Sequence, residues 1–379
     1  METAAAATAR LAGAAPPGTA VVIGTGMIGT SIALALTERG TAVWLTDADT
    51  SAARLAADLG AGRLLPADGM PDLAADIAVL AVPPAAVAPC LALAQQRGLA
   101  RCYTDVASVK ELPLRAAADL GCDLATFVPG HPMSGRERSG PAAARADLFI
   151  GRPWAICPVP QTSARCVAAV ADLARACGAA PIQLPAAEHD QWVALVSHVP
   201  HLVASAMAAQ CAAAPSGALA LAGPGLRDVT RIAASDPELW TEILAANAGP
   251  VRERLTAVAE QLSVTAAVLA DIAKGDGESA RQLTELLVAA RAGASRIPGK
   301  QGGPAPDYAI VQAVIGDQPG ELARLFAAAG DAGINIEDVR IEHSPGLPVG
   351  VAELSVRPAA AQRLAIALSA HGWPVASPA

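Results

Sequence analysis

The sequence predicts three successive folding units: an α/β domain with a doubly wound parallel sheet, an all-α domain, and a small α+β domain. Three observations carry this. Strand and helix patterns alternate from Ala20 to about residue 185 around a glycine-rich turn; strand signals then stop from Ala186 to about Ala294; and after a Pro/Gly-rich stretch the order β-α-β-β-α-β begins near residue 307. The expected boundaries are a disordered tail over 1–18, the first domain over 19–185, the helical domain over 186–296, a linker over 297–306 and the last domain over 307–376.

Length and composition agree. A chain of 379 residues has room for two or three buried cores. Apolar residues make up 53%, much of it Ala, but the runs are interrupted by Pro, Gly or charge short of the ~20 residues a spanning helix needs, so no membrane segment is expected. Residues 1–18 have no compact apolar region before a cleavage site and do not read as a signal peptide. Cys90, Cys102, Cys122, Cys157, Cys166, Cys177 and Cys211 are odd in number and never spaced Cys-x-x-Cys. That spacing argues against a disulfide framework and a thiolate metal site, and for a cytoplasmic location. The net charge of -8 with no Lys/Arg cluster excludes a nucleic-acid footprint and favours a small-molecule partner.

In chain order, Ala20–Ile23 reads as a strand, Gly24-Thr-Gly26-Met27-Ile28-Gly29 as the turn opening a helix, and Ala42–Leu45 as a second strand closed by Asp47. In that context Gly-x-Gly-x-x-Gly predicts a Rossmann-like dinucleotide site. Gly24 permits the tight turn, Gly26 lets backbone approach a pyrophosphate, and Gly29 lets helix and strand pack closely. The helix N-terminus then faces the phosphates. Asp47 is placed to accept from the adenosine ribose hydroxyls and to repel a 2′-phosphate, which favours NAD over NADP.

Asp76–Val82 and Arg101–Asp105 read as further strands, the second running into Val106-Ala-Ser108-Val-Lys110. Ser108 is expected either to hydrogen-bond a substrate or His131, or to cap a helix. An apolar strand over Leu124–Val128 breaks into Pro129-Gly130-His131-Pro132, which sets His131 on a non-helical turn at a strand's carboxyl end, where such sheets bind ligands. An imidazole there suits a general base. Pro153–Cys157 and Pro181–Leu184 read as added strands flanking a helix over Thr162–Cys177.

The helical stretch opens on Glu188-His189-Asp190, followed by Ser197-His198-Val199-Pro200-His201. His198 and His201 share a helix face if Pro200 sits in a first turn. They read as substrate contacts with Asp190 as a supporting partner, as a capping pair, or as a metal pair that lacks a third ligand. Arg227 and Arg231, one turn apart after a Gly/Pro break, suit carboxylate binding, or else pair with Asp228 on the surface. Ser235-Asp236-Pro237-Glu238 reads as a cap, and Pro237–Ala273 as a long amphipathic stretch. The tail from Tyr308 follows the ferredoxin-like order.

Jointly, the glycine loop, Asp105-Val-Ala-Ser-Val-Lys110, Gly130-His-Pro-Met-Ser-Gly135, Ser197-His-Val-Pro-His201, Arg227-Asp-Val-Thr-Arg-Ile-Ala233 and Ser235-Asp-Pro-Glu-Leu-Trp240 resemble the TyrA prephenate/arogenate dehydrogenases over residues 20–294. Ala107 and Ser134 depart from the residues often found there. The tail resembles an ACT domain, with Asp317, Gly320, Asn335 and Ile336 at effector-loop positions. The resemblance implies NAD-dependent oxidative decarboxylation of prephenate to 4-hydroxyphenylpyruvate in tyrosine biosynthesis. It implies that His131 takes the 4-hydroxyl proton with Ser108 as its partner, and that Arg231 clamps a substrate carboxylate. Ser197, His198 and His201 contact the substrate, Asp190 supports them, and Trp240 reaches in from the neighbouring subunit of a homodimer. Tyrosine is the expected effector. The alternatives are an arogenate dehydrogenase, a secondary-pathway enzyme acting on an amino-substituted prephenate, or a non-catalytic NAD- and amino-acid-responsive regulator. A hydroxyacid dehydrogenase would use a Lys in the helical domain, and residues 186–273 contain none.

Overall fold

The computed structural model describes residues 16–66, 74–134, 140–297, 308–343 and 348–376. Residues 1–15 of the expected tail, Gly135 of the His131 segment and residues 298–306 of the expected linker lie outside the described residues. The chain forms two compact units, Met1–Glu260 and Gln261–Ala379.

In the first unit, β1 (Thr19–Ile23), β2 (Ala42–Thr46), β3 (Arg63–Leu64), β4 (Ile77–Leu80), β5 (Tyr103–Asp105) and β6 (Phe127–Val128) make a six-stranded sheet in the order β3-β2-β1-β4-β5-β6. All its pairings are parallel. Helices α1 (Met27–Thr37), α2 (Thr50–Asp58), α3 (Pro84–Gln96) and α4 (Glu111–Asp119) connect the strands. Alternate residues supply two cores. Ala20, Val22, Ile77 and Val79 enter one, while Val21, Ala78 and Leu80 enter the other. Burial on both faces explains why these strands read as unbroken apolar runs. The order reverses between β1 and β4, and that switch point opens a crevice at the carboxyl edge.

A second sheet sits beside that edge. Strand β7 (Gly130–Pro132) pairs antiparallel with β8 (Pro153–Ile156), and β8 pairs parallel with β9 (Ala180–Gln183) after helix α5 (Ala164–Ala176). The strand expected over Leu124–Val128 begins only at Phe127, because Asp123 holds a turn before it, accepting from Ala125 N–H on its side chain and from Thr126 N–H on its carbonyl. His131 is not on an open turn: it lies in a short strand opposite Ala155.

Cys102, before β5, and Cys166, on α5, form a disulfide with Cα atoms 5.4 Å apart at a sequence separation of 64. This corrects the expectation drawn from cysteine spacing, since tertiary packing joins two residues that no local pattern links.

The helical segment begins where the sequence places it. Helix α6 (Ala186–Val193) runs through a π-turn (Ala194–His198) into α7 (Val199–Ala212), so Pro200 falls in a first turn. Short helices α8 (Ser216–Leu219) and α9 (Pro224–Thr230) follow, then a 3-10 turn (Arg231–Ala234). Asn247 divides the stretch expected as one helix from Pro237 into α10 (Pro237–Ala246) and α11 (Ala248–Ile272). Ala186–Ala212 and Ala248–Ile272 are long and apolar enough to cross a membrane by length and composition, contrary to the reading of interrupted runs. The first of them carries the buried polar residues His189, Asp190, His198 and His201, as a core helix does and a lipid-facing one does not.

The second unit contains α12 (Gly277–Ser295) and a three-stranded antiparallel sheet, β10 (Ala309–Gly316), β11 (Asp338–His343) and β12 (Val349–Val356), in the order β10-β12-β11. Helices α13 (Glu321–Asp331) and α14 (Pro358–Ala370) supply Leu325, Leu364 and Leu368 to its core. The final strand expected at Trp373–Val375 amounts to a single bridge between Ala313 and Val375. The βαββα order is as read from the sequence.

Candidate active site

The glycine loop fits a dinucleotide. Gly24 has φ +98°, and a Cβ there would lie 2.2 Å from the Ala81 carbonyl oxygen. A Cβ on Gly29 would meet the Gly24 carbonyl oxygen at 2.0 Å, so neither position admits a side chain. Gly26 differs: nothing lies within 4 Å of its Cβ position, so open space adjoins the N-terminus of α1, with Met27 and Ile28 in its first turn. That combination suits a pyrophosphate. The Asp47 carboxylate accepts from the Thr25 backbone N–H, from Thr25 Oγ1 at 2.9 Å and from Asp49 N–H at 2.8 Å. By these bonds it pins the loop, a role the sequence reading did not assign to it.

The same carboxyl edge carries a buried ion pair absent from the sequence reading. Lys110 and Asp105 are both fully buried and in contact, and Lys110 Nζ also donates to the Gly130 carbonyl at 2.5 Å. Burial raises the Asp105 carboxyl above the usual range, although Lys110 opposes the shift. Lys110 thus ties the end of β5 to the residue before His131. Gly130 has no room for a Cβ, which would meet Asp105 O and Thr104 Oγ1 at 2.9 Å. The motif Asp105-x4-Lys110 was quoted in the sequence, but its pairing depends on burial that no pattern displays.

His131 sits in a cavity of about 410 Å³, with Ser108, Ser197, His198, His201 and Trp240 also on its walls. Its Nδ1 is 2.9 Å from His189 Nε2, and His189 Nδ1 is 2.7 Å from Asp190 Oδ1. A carboxylate only accepts, so His189 donates from Nδ1. In the tautomer with that one proton, His189 accepts at Nε2, His131 donates from Nδ1, and His131 Nε2 keeps its lone pair. Burial holds His131 well below the usual imidazole value, with further lowering from His189, Lys110 and His198.

Asp190 also accepts from Lys110 N–H at 2.8 Å and Glu111 N–H at 2.9 Å, which caps α4. Two expectations change accordingly. Asp190 supports the His131 chain through His189 and makes no direct bond to His198 or His201, because its side chain faces α4. Ser108 is not the cap of α4, since Asp190 performs that role; it stands half-buried on the cavity wall.

Asn247 Nδ2 donates to the Asp190 carbonyl at 2.8 Å and lies 3.1 Å from His198 Nδ1. His198 therefore accepts at Nδ1 and presents an Nε2–H donor, and burial lowers it to about 4, which keeps it neutral. His201 stacks on Trp240 of the same chain, with ring centroids 3.6 Å apart and planes 3° from parallel. This corrects the placement of Trp240 in a neighbouring subunit: α10 brings it back over its own α7.

Arg231 is exposed and does not line the cavity, whereas Ile232 and Ser235 do. The 3-10 turn that starts at Arg231 turns the following residue inward. Among the described residues, the guanidinium-bearing one on the cavity wall is Arg152, which the sequence reading passed over because a lone Arg before a strand carries no local signal.

Comparison with known proteins accords with this geometry. Two family models match: "Prephenate dehydrogenase, nucleotide-binding domain" over residues 32–183 and "Prephenate dehydrogenase, dimerization domain" over residues 185–287. The chain is 42% identical over 364 residues to the probable prephenate dehydrogenase NovF of Streptomyces niveus, covering 95% of this chain and 99% of that one. It is 27% identical over 241 residues to the prephenate dehydrogenase of Bacillus subtilis, covering 63% of each. Among solved structures, Synechocystis arogenate dehydrogenase superposes with a TM-score of 0.59 at 26% identity, covering 72% of this chain and 99% of that one. The prephenate dehydrogenase of A. aeolicus, solved with hydroxyphenyl propionate and NAD+, shares the fold with a TM-score of 0.63 at 24% identity, covering 72% and 97%.

Proposed function

The chain belongs to the prephenate dehydrogenase family, and from that premise we propose that it oxidatively decarboxylates prephenate to 4-hydroxyphenylpyruvate with NAD. One observation carries the assignment of its base: the Asp190–His189–His131 chain leaves a neutral imidazole nitrogen available in the cavity. His131 takes the 4-hydroxyl proton as C4 becomes a carbonyl. When bound, NAD supplies the two-electron acceptor for the hydrogen at C4. The C1–carboxylate bond then breaks, its electron pair makes the ring aromatic, CO2 departs, and His131 returns the proton to the phenolate. Ser108 assists at the hydroxyl. His198 donates from Nε2, with Ser197 and the stacked His201–Trp240 pair shaping the remainder, and Arg231 anchors a substrate carboxylate at the rim beside Ile232.

Prephenate is favoured over arogenate because the chain is 42% identical to a probable prephenate dehydrogenase over 95% of its length, and among the described residues lining the cavity no carboxylate stands to pair with arogenate's ammonium. Comparing NADH formation from the two substrates tests this. Prephenate should win in kcat/KM by about tenfold or more, roughly one unpaired charge interaction; parity or the reverse order would assign the enzyme to amino-substituted substrates.

In this reading the boundaries are those expected from the sequence, the location is cytoplasmic, and the helical segment pairs two chains. Leu262, Val264, Leu269, Leu287 and Val288 are exposed on α11 and α12, which is apolar surface of the kind a second copy covers. The C-terminal βαββα fold acts as an ACT domain that takes tyrosine as feedback effector. Gly320, at φ +89°, opens α13 beside Asp317, while Asn335 donates to Glu337 at 2.9 Å next to Ile336; these are the loops expected to receive it.

A further inference from the structure

One buried hydroxyl and one cation on the cavity wall have no part in the reaction as described. Ser134 is 2% exposed, lines the cavity, and its Oγ has no hydrogen-bond partner among the described residues. A buried hydroxyl in that state has lost its water and gained nothing, a deficit that a ligand oxygen would remove. Arg152 lines the same cavity, and its guanidinium makes no ion pair with any described residue.

Strand register explains why the two belong together. His131 opposes Ala155 and Pro132 opposes Trp154, and Met133 N–H donates to the Pro153 carbonyl at 3.0 Å. Ser134 and Arg152 each stand one residue beyond that last bond, at the same end of the β7–β8 pair. Backbone bonds fix both: Ser134 N–H donates to Pro132 O at 2.8 Å, Arg152 N–H to Phe149 O at 3.0 Å, and Arg152 O accepts from Ala180 N–H at 2.8 Å. The chain is held there while the polar side-chain atoms are left for a ligand.

A guanidinium fork beside a hydroxyl matches a carboxylate. We propose that Ser134 and Arg152 form a receptor for the side-chain carboxylate of the substrate, the one retained in the product; this rests on the prephenate reading above. Two arguments select that group. Ser134 and Arg152 line the same cavity as His131 but belong to neither its hydrogen-bond chain nor the residues grouped around the hydroxyl, which leaves them to the other end of the substrate. A strong ion pair to the ring carboxylate would also be lost as CO2 forms, which stabilises the ground state against reaction, whereas a pair to the retained carboxylate persists throughout and lowers KM.

The test uses 3-(4-hydroxyphenyl)propionate and its amide, which differ at that end, titrated calorimetrically into the full-length protein with NAD+ present. The wild type should prefer the acid. Arg152→Ala should reduce that preference by ~10–100-fold, the worth of one charge-assisted contact, and Ser134→Ala by a smaller factor. KM for prephenate should rise in step while NAD+ affinity stays constant, which also shows that the variants fold. An unchanged acid-to-amide ratio in Arg152→Ala overturns the receptor, as does a loss that appears in NAD+ binding instead. If the wild type fails to oxidise prephenate yet loses its acid preference in Arg152→Ala, the receptor stands and the substrate reading falls.

Discussion

A histidine serves as a base when its free nitrogen is unprotonated and aimed, and both conditions here come from neighbours. Asp190 and His189 set the tautomer, and burial sets the proton affinity. Replacing His131 with Asn should lower kcat by ~10²–10⁴-fold with NAD+ affinity nearly intact; unchanged turnover would remove it from the mechanism. The pH profile separates its supports. A base is active when neutral, so a depressed His131 puts the acid limb of kcat/KM well below an ordinary imidazole's 6.5. Burial, the largest cause of the shift, remains in His189→Asn, so the acid limb should stay well below 6.5 while kcat falls through loss of the tautomer that His189 fixes; an unchanged kcat would reduce His189 to packing. For Arg231, substitution by Ala should raise KM for prephenate more than it lowers kcat, as expected of uniform binding, and an unmoved KM would make it a surface residue. At this scale the sequence was informative where chemistry is local. His131, Ser108, Ser197, His198 and His201 share one cavity as expected, whereas His189, Lys110 and Asn247 act through partners 20 to 80 residues away and Arg152 reaches the wall through the pairing of β7 with β8, which no local pattern displays.

Elements hold the site together through the turns at the carboxyl edge. Lys110 joins β5 to β7, and Asp190 joins α6 to the start of α4, so the His131 strand is tied from two directions. Lys110→Met would leave Asp105 a buried acid without its cation, at a cost of about 3–5 kcal/mol, and Asp105→Asn added to it should recover part of the loss. Melting temperature by calorimetry reads both; equal values for Lys110→Met and wild type would show the pair to be dispensable. Strands and helices of the first unit were legible because period-2 burial on two faces and the glycine turn leave clear marks. The pairing of His131 with β8, the π-turn over Ala194–His198 and the interruption at Asn247 were not, since contacts distant in sequence accompany each.

For the whole molecule, the question is whether the C-terminal unit reports a ligand to the catalytic one. Its sheet and two helices bury their own core of Val311, Ala313, Leu325, Leu354, Leu364 and Leu368, so removing it should not expose the core of the first unit. Deleting residues 300–379 should therefore leave prephenate oxidation close to the full-length rate while abolishing inhibition by tyrosine. The two effects are independent readouts. Lost catalysis with lost binding of NAD+ would mean that the tail is needed for folding. Retained inhibition would place the effector in the active-site cavity, where a phenol bearing a carboxylate could compete with substrate. Competition kinetics distinguish these outcomes, since tyrosine acting through the tail need not raise KM in proportion to its concentration, whereas tyrosine in the cavity must.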